Sequence, residues 1–410
     1  MFAGRIGENR RRQTISDHSL TPAMIADVEK NLSASELYGL RLRAVRCALR
    51  EEYLQPHAKP WIVGFSGGKD STLLAHLVIE CLLSVAPDER RRRVYVCSND
   101  TLVESPVFQE FVNKTLARMV EGLAALDLPV EVVKTTPLPD ESFWVNLLGR
   151  GYPAPKRMFR WCTDRMKIRP TTRFIQEQVV RNGEAILLLG TRRAESAERA
   201  KNIRRREDSV PGSLLNPHKT LKGCLVFTPI LNLTTEDVWL TLLNSRPPWG
   251  GDHRELVRLY NRASGGECPF VVSGDDPASC GTSSARFGCW TCTVVEKDNS
   301  IEAMIEAGFA GLEPLADFRN RIKALSENPD CRSKIRRNGQ PGLGPLTIET
   351  RKLLLEELLA LQRRTGLPLI TDHEVRLIRE HWAKDTTDSV IRELGGYFNF
   401  WRNSNQRKNL

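Results

Sequence analysis

The stretch Trp61-Ile62-Val63-Gly64-Phe65-Ser66-Gly67-Gly68-Lys69-Asp70-Ser71-Thr72 decides how the rest of the chain is read. A β-favouring apolar run enters a glycine pair, and behind the pair Leu73, Leu74, Leu77, Val78 and Leu82 recur at helical intervals. Strand, glycine turn and helix make a phosphate-binding geometry. Adjacent glycines allow positive φ and close backbone approach, so successive N–H groups surround a phosphate at the positive end of the helix. Ser66, Ser71 and Thr72 add hydroxyl donors, and Lys69 adds charge. The order is not that of Walker A, which would put four residues between its first glycine and the Gly-Lys pair. Asp70, in the first turn behind the glycines, has a plain helix N-cap as its simplest reading.

Outward from this loop, short β-rich runs alternate with helical stretches: Trp61 to Phe65, Val94 to Cys97, Val130 to Val133, Ala185 to Leu189 and Leu225 to Ile230. The alternation predicts an α/β fold, a parallel five-stranded sheet wrapped by helices, over residues 57–246. Ahead of it, residues 20–56 read as a lead-in of two helices, in which Ile25, Val28, Leu32, Leu37, Leu40, Val45 and Leu49 share a helical period. Residues 1–19, basic and aperiodic around Arg10-Arg11-Arg12, read as a flexible arm. Residues 247–299 are dense in Gly, Pro, Asp and Ser and hold four of the ten cysteines, a loop-rich segment organised by something other than an apolar core. Helical patterning returns over 300–410, notably Ile348 to Gln362 and His373 to His381.

Composition narrows the class. With 40% hydrophobic and 27% charged residues, wholesale disorder is excluded. No apolar run approaches the ~18 residues of a membrane span, so a cytoplasmic protein without membrane contact is expected. The 60 Lys plus Arg outnumber the 50 Asp plus Glu, and the net charge of +10 fits a polyanionic partner such as nucleic acid. Arginine runs at 10–12, 90–93 and 204–206 are candidate contacts. Ten cysteines in 410 residues are too few for a disulfide scaffold and direct attention to metal or catalysis.

Three further blocks carry chemistry. Asp100 and Thr101 follow the second strand, at the carboxyl end where parallel sheets bind ligands, and are candidate nucleotide contacts. Gly190-Thr191-Arg192-Arg193 leaves the fourth strand towards Glu195, Ser196 and Arg199, and the planar fork of Arg192 suits a phosphate. Between these, Cys162 sits among Lys156, Arg157, Arg160, Arg165 and Lys167, cations that favour thiolate over thiol. Last, Cys268, Cys280, Cys289 and Cys292 read C-x11-C-x8-C-x2-C. Zinc and [4Fe–4S] both accept four thiolates, and spacing does not separate them. Cys268 is the least secure of the four. Cys47, Cys81, Cys97, Cys224 and Cys331 stand singly and read as structural.

The Ser66–Thr72 segment resembles the PP-loop of the ATP pyrophosphatase superfamily (adenine nucleotide alpha hydrolase-like), whose members cleave ATP between its α- and β-phosphates. Arg160-Trp161-Cys162-Thr163 and the Gly190 block are similar to segments of its phosphoadenylyl-sulfate (PAPS) reductase branch. Together with Phe287-Gly288-Cys289-Trp290-Thr291-Cys292-Thr293-Val294-Val295, they resemble the DNA phosphorothioation sulfurtransferase family DndC over roughly residues 20–310. The resemblance implies ATP, Mg²⁺ and a [4Fe–4S] cluster as cofactors. It also implies DNA as substrate, a cysteine desulfurase as sulfur donor, and other phosphorothioation subunits as partners. In that reading Ser66, Gly67, Gly68, Lys69, Asp70, Ser71, Thr72, Asp100, Thr101, Gly190 and Arg192 bind nucleotide. Lys69, Asp70 and Cys162 are catalytic, and the four clustered cysteines hold the metal.

A PAPS or adenylyl-sulfate reductase is the nearest competitor. Against it, the sequence holds no adjacent Cys-Cys pair, and the tail Arg407-Lys408-Asn409-Leu410 carries no cysteine. ATP-dependent tRNA thiolation and a non-catalytic iron–sulfur nucleic-acid-binding module are the other readings. The intact loop argues against the last.

Overall fold

A computed structural model describes residues 32–193, 215–263 and 287–385. Helix α1 (Ala34–Tyr53) opens with a capping box in which Ser33 and Glu36 satisfy each other's backbone N–H groups. It lays Leu42, Val45, Leu49 and Tyr53 into the core, while Leu40 stays exposed. Among the described residues the lead-in is one helix; Ile25 and Val28 lie outside them.

The sheet then follows: β1 (Trp61–Phe65), α2 (Lys69–Ser84), β2 (Val94–Asn99), α3 (Pro106–Ala125), β3 (Val130–Thr135), α4 (Arg169–Asn182), β4 (Ala185–Leu188), β5 (Leu215–Pro217) and β6 (Cys224–Phe227). Its order is β3-β2-β1-β4-β6-β5. Five strands are parallel and coincide with the five expected, and the three-residue β5 adds an antiparallel edge to β6. The fold is α/β, with a mostly parallel sheet flanked by helices. Both faces are buried along β1, β2 and β4, as a parallel sheet requires, while the edge strand β3 is partly exposed. Trp61, Val63 and Phe65 pack on the α2 side with Leu73, Leu74 and Leu77, and Ile62 packs on the other with Tyr95, Cys97, Ile175 and Leu187.

Between β3 and β4 the chain makes two π-helical turns, Val145–Gly149 and Asp164–Ile168. Beyond β6 come α5 (Thr235–Asn244), α6 (Arg254–Ala263), α7 (Asn299–Glu306), α8 (Glu313–Glu327), α9 (Ile348–Thr365) and, last among the described residues, α10 over 372–385. Helix α6 corrects the expectation of a wholly loop-rich segment from 247. Leu256, Val257, Leu259 and Ala263 give it one apolar face, and that face is buried.

The carboxyl-terminal helices grip the first π turn. Arg351 of α9 donates to Gly149 O (2.6 Å) and Trp382 of α10 donates to Leu148 O (2.7 Å). Trp144 donates to Leu369 O (2.6 Å). Buried backbone carbonyls freed by the π geometry thus find partners on the added helices.

Candidate active site

Gly67 has φ +75°, and a Cβ there would come within 2.5 Å of Val112 Cγ2, so the loop turns against α3 only with glycine at that position. Gly68 caps α2 without a side-chain hydrogen bond. Ser66 and Ser71 hold the loop across its mouth: Ser71 Oγ accepts from Ser66 N–H at 3.1 Å, lies 3.1 Å from Ser66 Oγ, and donates to Gly68 O at 3.0 Å. The Thr72 hydroxyl is buried with no hydrogen-bond partner among the described residues. A glycine cradle, an uncapped helix start and an orphaned hydroxyl fit an anionic phosphate chain.

Asp70 is neither an N-cap, since Gly68 holds that position, nor an open carboxylate. Arg192 Nε donates to Asp70 Oδ1 at 2.6 Å, and Lys69 Nζ lies 3.1 Å from Oδ2. Arg192 is 1% exposed, and its Nη1 also reaches Leu233 O and Thr235 Oγ1 at 3.3 Å. The Arg192 guanidinium, expected to face a phosphate, holds Asp70 here, a buried pair that fixes the first turn of α2 to the end of β4. Gly190 permits this approach, because a Cβ on it would sit 3.0 Å from the Asp70 carbonyl.

Asp100 and Thr101, the other candidate nucleotide contacts, also have partners within the chain. The Asp100 carboxylate accepts from Leu102 N–H (2.8 Å) and Gln109 (3.1 Å) and pairs with Lys134 (2.6 Å), so it shapes the turn after β2. Thr101 is fully buried; its hydroxyl bonds Glu104 Oε1 at 2.9 Å and lies 3.3 Å from Cys289 Sγ. That places Thr101 with the cysteines, because β2 ends beside the segment 288–290. Ser105 N–H donates to Gly288 O, and Trp290 N–H donates to Val103 O.

Cys289 and Cys292 share a tight turn, with Cys292 N–H donating to Cys289 O at 3.0 Å. Burial and then the Glu104 carboxylate push the Cys289 thiol far up. Cys162, on the helical turn Trp161–Thr163, is raised by burial and then by the charge of Cys292. The low thiolate pKa expected from its basic neighbours does not arise: Lys156, Arg157 and Arg160 are exposed, and Lys167 opposes burial only weakly. For Lys167 the sign reverses. Burial disfavours its charge, but Cys289, Glu104, Cys162 and Cys292 together raise it. Cys162, Cys289 and Cys292 thus all act on the charge of Lys167, whose ammonium lies 3.7 Å from Glu104. Cys268 and Cys280 lie outside the described residues, as do Glu195, Ser196, Arg199 and the runs 10–12 and 204–206. No group of three or more His, Cys, Asp or Glu side chains among the described residues is arranged to hold a metal ion. The described cysteine turn supplies thiol donors, the chemistry an iron–sulfur cluster takes.

Two residues escaped the sequence reading. Tyr260 of α6 accepts the Lys69 N–H (3.3 Å), and burial pushes its phenol up to about 12. Phe287 packs edge-on to Tyr260 (4.9 Å) and stacks on Phe108 (4.6 Å), the side chain lining Gly67, so phosphate loop and cysteine turn share one aromatic wall. Arg319 of α8, 3% exposed, donates to the carbonyls of Cys292 (2.8 Å), Glu296 (3.0 Å) and Val295, and so pins the chain beyond the cysteines. An arginine at helical spacing gives no sign of such a partner; an apolar helix face around it is the only trace.

Residues 60–295 match the phosphoadenosine phosphosulfate reductase domain. The chain belongs to that family. This makes it a PAPS reductase-like domain of the PP-loop superfamily, a superfamily of enzymes. An uncharacterized protein of Methanocaldococcus jannaschii is 25% identical over 217 residues, 53% of this chain, and the chain spans only 38% of that relative. Among solved structures, PAPS reductase from Candida auris in its phosphate complex is 15% identical over 55% of this chain and 86% of its own, with a TM-score of 0.32. The U34-tRNA thiolase NcsA from Methanococcus maripaludis with its [4Fe-4S] cluster is 13% identical over 71% of this chain and 79% of its own, with a TM-score of 0.35. Likenesses of that size carry no argument about chemistry. In this PAPS reductase-like chain, no helix among the described residues is long and apolar enough to cross a membrane.

Proposed function

We propose that the protein is an ATP-dependent sulfurtransferase of DNA phosphorothioate modification, of the DndC type. The observation that carries this reading is the shared wall of Tyr260, Phe287 and Phe108, which joins a phosphate loop to a cysteine group at one end of the sheet. A reaction that activates one atom with ATP and delivers sulfur to it needs both within reach. The choice of DNA over a sulfonucleotide rests on the Phe287–Val295 block and on the lack of an adjacent Cys-Cys pair.

A phosphodiester oxygen leaves poorly, so its exchange for sulfur requires activation. A non-bridging oxygen of DNA attacks the α-phosphorus of ATP, the bond to the β-phosphate breaks, and pyrophosphate departs. The terminal sulfur of a persulfide on Cys162 then attacks the DNA phosphorus and AMP leaves carrying the former oxygen; two equivalents of a small-molecule thiol such as cysteine cleave the resulting Cys162–S–S–P linkage, releasing the phosphorothioate and the Cys162 thiol while the small thiol is oxidised to its disulfide. The loop amides with Ser66, Ser71 and Thr72 hold the phosphates, with Mg²⁺ as counter-ion, and Lys69 stabilises the charge that develops. Asp70, locked by Arg192, keeps Lys69 in place. Cys162 receives persulfide sulfur from a cysteine desulfurase. Cys268, Cys280, Cys289 and Cys292 would hold a [4Fe–4S] cluster, which would supply a sulfur-binding metal centre beside Cys162.

Product analysis tests this. Purified anaerobically and given ATP, Mg²⁺ and duplex DNA, the protein is expected to release pyrophosphate, and Ser66→Ala to abolish release with an unchanged circular dichroism spectrum. Orthophosphate as the first product would overturn the assignment.

A further inference from the structure

Two short hairpins stand out beside the cysteine group. In the first, Lys156 and Phe159 exchange backbone hydrogen bonds (3.2 and 2.8 Å) around the turn Arg157-Met158, and all five residues from Lys156 to Arg160 are exposed. The second lies between α8 and α9. There Arg336 N–H donates to Gln340 O and Gly342 N–H to Lys334 O (2.9 Å each), and residues 334–341 are all exposed. Tyr152 links them: the Arg337 guanidinium lies 5.2 Å over its ring and the Phe159 ring 6.3 Å away. Tyr152 also packs edge-on against Trp161 at 5.5 Å, the residue before Cys162, and Thr293 Oγ donates to Pro155 O at 2.6 Å. The pair is therefore anchored to both cysteine-bearing segments.

Several arginines elsewhere are neutralised locally. Arg92, from the run at 90–93, is 2% exposed and paired with Glu52, and Arg165, Arg169 and Arg173 share Glu141. By contrast Lys156, Arg157, Arg160, Lys334, Arg336 and Arg337 form no ion pair among the described residues, and no Asp or Glu occurs between Arg150 and Thr163 or between Cys331 and Ile348. Six cations held together without counter-charge repel one another, a cost that a polyanion removes. Apolar tips accompany them, with Met158 90% and Ile335 57% exposed.

We infer that the two hairpins form the surface that holds duplex DNA by its phosphodiester backbone beside Cys162. The inference rests on the proposed DNA substrate. It replaces the arginine run at 90–93, which lies at the amino end of the sheet: Arg93 O accepts from Trp61 N–H, and the phosphate loop is at the other end of that strand.

The test compares the full chain with the variant Lys156→Gln, Arg157→Gln, Lys334→Gln, Arg336→Gln, which leaves Arg337 on Tyr152 and Arg160 before the cysteine turn. Affinity for a short duplex is measured against salt. Each phosphate contact contributes a slope of about −0.9 in log affinity against log salt, so the variant should lose about 2 to 4 from the slope while pyrophosphate release at low salt and saturating duplex is unchanged. An unchanged slope with wild-type affinity would overturn the surface and leave the proposed activity standing. Hairpin-dependent binding of tRNA with none of duplex DNA would overturn duplex DNA as its occupant. Hairpin-dependent duplex binding by a wild-type protein that makes no phosphorothioate would leave the surface intact and overturn the activity instead.

Discussion

At Gly190 a single missing Cβ lets the end of β4 touch the first turn of α2. Gly190→Ala would push a methyl to 3.0 Å from the Asp70 carbonyl. Such overpacking costs about 1–3 kcal/mol, and we predict a loss of pyrophosphate release of tenfold or more, read in the same assay, at a thermal midpoint only a few degrees lower. Cys162 tests the division of labour among the thiols. Cys162→Ala is expected to keep iron and lose phosphorothioate formation; loss of iron would make it a ligand. The glycines and serines of the loop were legible because their types are dictated by backbone geometry over a few residues. The role of Arg192 was not. Its partner, Asp70, is far away in sequence, and a fork that binds phosphate looks the same in sequence as one that binds a carboxylate.

Elements repeat the lesson. The parallel strands could be read because each carries a short β-rich apolar run, buried on both faces in β1, β2 and β4, whereas β5, three residues of an edge with one antiparallel neighbour, carries no such pattern. Helix α6 hid inside a segment whose Gly and Pro content dominates its composition. Its apolar face is nonetheless what brings Tyr260 to Lys69. Helix α8 acts on the site through Arg319. Arg319→Ala would leave the carbonyls of Cys292, Val295 and Glu296 without their charged donor, a loss of about 1.5–3 kcal/mol. The expected outcome is a lower denaturation midpoint and loss of iron, with pyrophosphate release largely retained because the phosphate loop is held by other residues. Iron content and pyrophosphate assays on one preparation check both.

Over the whole molecule, stability is tied to pH through a buried histidine pair. His76 Nδ1 and His253 Nε2 lie 3.0 Å apart, both are at most 4% exposed, and burial followed by the neighbouring His76 pushes His253 down to about 3. The unfolded chain binds a proton near pH 6.5 that the folded one refuses, so this contribution is fully present above about 6.5 and is lost progressively as pH falls towards 3. Thermal midpoints are expected to be flat above pH 7 and to drop below 6.5, and His253→Gln should make that drop shallower. The central claim, however, is that ATP cleavage here activates DNA for sulfur. It is tested most directly by incubating the anaerobic protein with duplex DNA, ATP, Mg²⁺, a cysteine desulfurase and cysteine, then digesting the DNA and measuring phosphorothioate-linked dinucleotides by mass spectrometry. Phosphorothioate that forms only with ATP and disappears with Ser66→Ala is the predicted result. DNA free of sulfur in a mixture that releases pyrophosphate, with the sulfur found in tRNA or as sulfite instead, would contradict it.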